Sequence, residues 1–206
     1  MNTPDNERSV VVFDLGGVLI DWNPRYVYLD MGGTEDEIDH FLTNVATSEW
    51  NGQMDAGRPF ADAVAERIEA FPDHETWLHA YHKRWEDMLG GPIQGSVAIL
   101  DELRSTETPL YALTNWSAET FPKARALYDF LGWFDGIVVS GEVRKIKPNA
   151  EIFHHLTDDF GLQPSDAVFI DDSLPNVEAA RKLGFYGIHF QGPDALREEL
   201  EGLGLL

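Results

Sequence analysis

The sequence contains no cysteine. Disulfides, thiolate zinc sites and a cysteine nucleophile are therefore excluded by inventory, and a reducing compartment is the natural setting. Basic residues are scarce: 15 Lys and Arg stand against 36 Asp and Glu, for a net charge of -21. Such a field repels nucleic-acid phosphates and anionic membrane surfaces unless basic residues cluster, and none do. It also opposes capture of a small anion, so an anion site here needs a metal or a few placed cations. No apolar run approaches membrane-spanning length. The stretch Met1 to Arg8 is polar and lacks the basic-then-apolar order of a secretion signal. Internal repeats and low-complexity tracts are missing too. The expectation is a cytoplasmic protein, monomer or homodimer, with no nucleic-acid and no membrane partner.

What is present is enough to build a substantial core: 206 residues, 43% of them hydrophobic and 12% aromatic. Ser9 to Leu15 is a short β-branched and aromatic run stopped by Gly16-Gly17, which predicts a buried strand with Asp14 at its carboxyl end. From about Asn23 to Met88 the apolar residues fall at helical spacing. Examples are Ile38, Phe41, Leu42 and Val45, then Phe60, Val64 and Ile68, then Trp77, Tyr81 and Trp85. No strand is predicted there, and Gly90-Gly91-Pro92 reads as a hinge closing the stretch.

Beyond the hinge, helices near Gly95 to Arg104, Ala118 to Tyr128, Ala150 to Phe160 and Asn176 to Leu183 alternate with strands. Those strands are expected at Leu110 to Leu113, Gly136 to Val139, Ala167 to Ile170 and Tyr186 to Phe190. Alternation of this kind predicts an α/β fold with a Rossmann-like parallel sheet covered on both faces. The core would comprise residues 1–22 and 91–206, with a helical insertion at 23–90.

In such sheets ligands bind beyond the carboxyl ends of the strands, so the polar residues there are the candidates. Asp14-Leu15-Gly16-Gly17-Val18 follows the first strand and Thr114-Asn115-Trp116 the second. Arg144-Lys145-Ile146-Lys147-Pro148 follows the third and Asp171-Asp172-Ser173 the fourth, with Asn176 four residues past Asp172. A nucleophilic carboxylate, hydrogen-bond donors, a cation and a doubled carboxylate are what phosphoryl transfer requires. Taken singly, each is also compatible with a strand-end turn, a helix cap or a surface loop, and Lys145 competes with Lys147 for the inward position. The doubled carboxylate is the hardest to explain without a cation. The seven histidines, including His154-His155, have no metal-ligand spacing.

The order and spacing of these four constellations resemble the haloacid dehalogenase superfamily over nearly the whole chain. The resemblance implies Asp14 as nucleophile, Thr114 and Asn115 in the phosphate-binding catalytic loop, and Lys147 as the neutralising lysine. It implies Mg2+ held by Asp14, the Gly16 carbonyl, Asp171 and Asp172, and a helical cap formed by the insertion. Gly17, Trp22, Trp116 and Asn176 are the candidate substrate contacts, although Asn176 is equally suited to orient the lysine or the metal acids. The implied reaction is removal of phosphate from a small metabolite, through an aspartyl phosphate, with sugar-phosphate phosphatases the nearest branch.

One position departs from the pattern. Most phosphatases of the superfamily carry a second aspartate two residues after the nucleophile as acid/base, and here that residue is Gly16. Either the leaving group is acidic, as in an anomeric sugar phosphate, or a cap residue or water supplies the proton. Two rival readings stay open: a metal-independent 2-haloacid dehalogenase, and a catalytically idle binding protein. Arg25 and Arg58 of the insertion are open to a substrate-anion role or to ordinary solvation.

Overall fold

A strand buried on both faces needs apolar residues at consecutive positions, and the runs starting at Val10, Leu110, Gly136, Ala167 and Tyr186 meet that demand. A computed structural model describes residues 9–206. The chain begins with β1 (Val10–Phe13) and β2 (Ile20–Trp22). Five helices follow, α1 (Arg25–Asp30), α2 (Glu35–Asn44), α3 (Ser48–Asp55), α4 (Phe60–Ala70) and α5 (Glu75–Lys83), before β3 (Leu89–Pro92). Then come α6 (Gln94–Ser105), β4 (Leu110–Thr114), α7 (Phe121–Leu127), β5 (Gly136–Val139) and the single turn α8 (Ser140–Val143). The chain continues with α9 (Ala150–Phe160), β6 (Ala167–Asp171), α10 (Leu174–Lys182), β7 (Tyr186–His189) and α11 (Pro193–Gly202).

The sheet is parallel in the order β5-β4-β1-β6-β7, so the first strand lies at its centre. Register pairs Val11 with Leu110 on one side and with Val168 on the other. Side chains alternate between faces. Val11 and Phe13 join a core with Ile99 and Leu103 of α6 and Leu196 and Leu200 of α11. Val12 points the other way, into a second core with Ile152, Phe153 and Leu156 of α9. Full burial of both sets is the signature of a sheet covered on two sides, as predicted.

The five helices between β2 and β3 pack through aromatic residues that are continuous with the first of these cores. Tyr28 stacks on Trp77 at 4.8 Å and meets Phe41 edge-on at 4.9 Å, while Trp50 meets Tyr81 edge-on at 5.0 Å. The helix starts are written in the sequence. Thr34 and Glu37 form a reciprocal capping box at α2, whose first turn is acidic, and the Thr47 hydroxyl accepts from Trp50 N at the start of α3.

Several expectations are corrected. The Gly90-Gly91-Pro92 hinge is strand β3, which pairs antiparallel with β2 and joins the insertion to the sheet as a ribbon. The ribbon is short, irregular at Asp21/Trp22 and built by a non-local pairing, so no local period reveals it. A Cβ at Gly90 would lie 2.0 Å from Asp21 Oδ2, so a larger residue there would displace the Asp21 side chain. Residues 118–120 form a turn, and α7 begins at Phe121. Asp171 belongs to β6, paired with His189, where a strand ending at Ile170 was expected. Helix α11 was not foreseen; it seals α6 with Leu196 and Leu200. Among the described residues, no helix is long and apolar enough to cross a membrane.

At the carboxyl edge of the sheet the loops after β4 and β5 touch backbone to backbone. Gly141 N donates to Trp116 O at 3.0 Å. A Cβ at Gly141 would meet Ala118 N at 2.4 Å and Trp116 O at 2.8 Å, neither of which can swing aside. Gly141→Ala should therefore cost about 1–3 kcal/mol of stability, read as a lower urea midpoint at unchanged slope.

Candidate active site

A buried ammonium must place its three donors on acceptors, because no water reaches it. Lys147 is 2% exposed. Its Nζ donates to Leu113 O at 2.8 Å and to Asp171 Oδ2 at 2.7 Å, and lies 2.9 Å from Asp14 Oδ1. Those acceptors come from the ends of three adjacent strands, β4, β6 and β1. The inward lysine is thus Lys147 rather than Lys145. Asn115 selects it: its side chain accepts from Lys147 N at 2.9 Å and donates to Lys147 O at 3.0 Å. Asn115 therefore holds the lysine loop as well as lining the cavity described below. Burial alone lowers the basicity of Lys147, but the Asp14 and Asp171 carboxylates outweigh it and hold the ammonium above its ordinary range.

Asp14 follows β1 directly, and its backbone N donates to Ile170 O at 2.8 Å, which fixes the residue against β6. Its Oδ1 also accepts from Leu15 N at 2.7 Å. Burial pushes the Asp14 carboxyl above the usual carboxylate range, the Lys147 ammonium pulls it back, and Asp171 and Asp172 push it up again. Asp171 is fully buried and saturated with donors: Lys147 Nζ, Ser173 N at 2.8 Å and Asn176 Nδ2 at 3.0 and 3.1 Å. Asn176, suited from the sequence to a substrate contact or to orienting the metal acids, donates to Asp171 and is not among the residues that line the cavity described below.

Asp172 is exposed, and burial of part of its surface together with Asp171 raises its carboxyl. It approaches the loop after β1 only because Gly17 has no side chain: a Cβ there would sit 2.4 Å from Asp172 Oδ2, and the φ of +76° also favours glycine. Each of Asp14, Asp171 and Asp172 offers an oxygen within 4.8 Å of the others. Three carboxylates are thus met by one ammonium, which leaves an excess of negative charge and oxygen donors suited to Mg2+. Among the described residues no other group of three or more His, Cys, Asp or Glu side chains comes together this way. His154 is exposed, and His155 pairs with Asp159 at 3.2 Å.

Above these groups lies a cavity of about 240 Å³. Its floor is Asp14, Gly16, Gly17, Thr114, Asn115 and Asp172. The buried Thr114 hydroxyl has no hydrogen-bond partner in the protein, an arrangement costly unless a ligand supplies one. At Gly16 a Cβ would meet nothing within 4 Å, so the space where a side chain would stand is open. Trp22, Phe60, Trp85 and Trp116 line the cavity, so both tryptophans singled out from the sequence do reach it. Trp116 is held by its N donating to Ser140 Oγ at 2.8 Å and its Nε1 donating to Thr120 Oγ1 at 3.1 Å.

Sequence reasoning missed the insertion's contributions, Asn51, Asp55, Phe60 and Trp85, together with Ser117 and Thr120. Nothing local marks them: Phe60 and Trp85 sit in the helical apolar pattern, and Asp55 is one acid among many. The two arginines point elsewhere. Arg25 pairs with Glu35 and Asp39, and Arg58 with Glu66.

The sesquiterpene phosphatase astK of Aspergillus oryzae is 27% identical over 198 residues, covering 95% of this chain and 96% of that protein. The N-acylneuraminate-9-phosphatase of Rattus norvegicus is 40% identical over 133 residues, 65% of this chain, and the matched region spans 50% of that enzyme. A HAD-family enzyme of Bacteroides thetaiotaomicron, solved with magnesium and inorganic phosphate, superposes with a TM-score of 0.67 at 21% identity. That superposition covers 89% of this chain and 94% of the other, and shows the shared fold. The family model for haloacid dehalogenase-like hydrolases matches residues 9–184, a span that holds β1, the insertion and every side chain of the Lys147 network, and the chain belongs to that family of hydrolases.

Proposed function

We propose that the chain is a Mg2+-dependent phosphatase that releases phosphate from a small phosphorylated metabolite, with sugar phosphates as the substrate class. The observation that carries this reading is the buried Lys147 ammonium beside Asp14, at the floor of a cavity lined also by Thr114, whose buried hydroxyl has no partner in the protein. The two named relatives are phosphatases, one of sesquiterpenes and one an N-acylneuraminate-9-phosphatase. Aromatic walls with Asn51 and Asp55 between them suit a ring with an apolar face and hydroxyl edges. The helices of residues 23–90 serve as the cap over this cavity. A cytoplasmic setting accords with the cysteine-free composition.

In this reading Asp14 attacks phosphorus in line, the ester oxygen leaves, and water hydrolyses the resulting aspartyl phosphate. Lys147 and Thr114 stabilise charge on the equatorial oxygens, and Asn115 keeps the lysine in place. Asp14, the Gly16 carbonyl and Asp172 would hold Mg2+, with Asp171 oriented beside them by Asn176 and Ser173. When bound, the ion supplies Lewis-acid polarisation of the phosphoryl oxygens. The excess of carboxylate over ammonium weighs against a metal-free dehalogenase, for which a third carboxylate has no use. Retention of nucleophile and lysine weighs against an idle binding protein.

Phosphate release from a panel of sugar phosphates should require Mg2+, cease with a chelator, and fall to background in Asp14→Asn. Halide release from 2-haloacids without metal would instead establish the dehalogenase. Lys147→Met leaves two buried carboxylates uncompensated, so it should lose about 3–5 kcal/mol of stability by urea unfolding. The same variant should lose roughly 10²–10³-fold in kcat. Asp172→Asn should weaken Mg2+ binding, measured by calorimetry, by roughly 10-fold or more.

A further inference from the structure

An alkoxide is a poor leaving group, and a phosphatase acting on an alkyl ester needs a proton carrier beside the ester oxygen. The residues that line the cavity include no histidine, cysteine, tyrosine or lysine. Its titratable side chains are Asp14, Asp55 and Asp172. Asp14 is the attacking group and Asp172 belongs to the carboxylate cluster. Gly16, on the nucleophile's own loop, has open space and no side chain.

Asp55 closes α3 and comes from the helical insertion. Its position is set from both sides of the cavity. Asn51 Nδ2 donates to Asp55 Oδ2 at 2.8 Å, and Asn51 Oδ1 in turn accepts from the Tyr81 hydroxyl at 2.9 Å. From the other side, Ser140 Oγ at the start of α8 donates to the Asp55 carbonyl at 2.6 Å, and the Ser117 N–H bonds its carboxylate. The carboxyl is thereby aimed at the Thr114–Ser117 loop, where the phosphate would sit. Tyr81 and Asn51 are positioning residues in this arrangement.

We propose that Asp55 is the general acid and base of the reaction, replacing from the insertion the carboxyl that Gly16 cannot supply. The inference rests on the phosphatase reading above. In the first step Asp14 forms a bond to phosphorus, the bond from phosphorus to the ester oxygen breaks, and that oxygen takes the Asp55 proton to leave as the alcohol. In the second, the Asp55 carboxylate takes a proton from water as the water oxygen bonds to phosphorus. The bond from phosphorus to Asp14 breaks, phosphate departs, and both side chains return to their starting forms. Burial raises the Asp55 carboxyl to about 7, against the pull of the Lys147 ammonium and the Ser117 N–H. Tyr81 is the other titratable group bearing on it, and Asp14 and Asp172 share its cavity. Both protonation states are then accessible near neutral pH.

The test compares Asp55→Asn with wild type on an alkyl phosphate and on p-nitrophenyl phosphate, whose leaving phenolate needs no proton. On the alkyl phosphate kcat should fall by about 10²–10⁴-fold. On p-nitrophenyl phosphate the variant should release one equivalent of phenolate in a burst and then stall, with phosphate covalently on Asp14 by intact mass. Gly16→Asp in the Asp55→Asn background should restore alkyl turnover, because the space at Gly16 is open. Wild-type turnover of the alkyl phosphate by Asp55→Asn, or an equal loss on both substrates without covalent phosphate, would overturn the assignment. A wild-type protein with no Asp14-dependent phosphate release would instead overturn the reading on which it rests.

Discussion

Three neighbouring strands end on one ammonium. Lys147 takes an acceptor from the end of β4, one from the residue after β1 and one from the end of β6, and β1 is the strand that the other two flank. Burying a charge costs several kcal/mol unless its donors are matched, so relative displacement of these strand ends is penalised at the nucleophile itself. The same contact sets the electrostatics. It keeps the lysine charged, moderates the effect of burial on Asp14, and leaves a carboxylate excess that a divalent cation would balance.

The support for that ammonium is equally specific. Asn115 holds the Lys147 backbone with two hydrogen bonds, while Asn176 and Ser173 hold Asp171. Gly17 lets Asp172 close on the β1 loop, and Gly141 lets the loops after β4 and β5 meet. Among the contacts that bring the helical insertion to this frame are Ser140 to the Asp55 carbonyl, Phe60 N to Glu119 at 2.9 Å, and Trp85 beside Trp116. The apolar residues of this helical layer run on into the core beneath the sheet, and Trp85 and Phe60 at its edge stand over the polar floor.

Much of this was legible in one dimension. The strands of the sheet are short apolar runs, and the rule that ligands gather at their carboxyl ends was enough to pick out Asp14, Thr114, the Lys145/Lys147 segment, Asp171 and Asp172 as candidates. The helical character of residues 23–90 was legible from spacing. The β2–β3 ribbon was not, since its pairing joins residues about seventy positions apart and its glycines mimic a hinge. The choice between Lys145 and Lys147 was not, since it depends on hydrogen bonds from Asn115, on a different strand end.

Local pattern and residue chemistry alone thus determined the α/β class, the alternation of its elements and the kinds of group at the sheet edge, because periodicity and strand termination are properties of neighbours in the chain. The tertiary structure alone decided which of those groups touch, that Asn176 donates to Asp171, and that Asp55 lines the same cavity as Thr114. Those outcomes depend on burial and on hydrogen bonds between residues far apart in sequence, and an acid on a helix carries no local mark of the loop it will face.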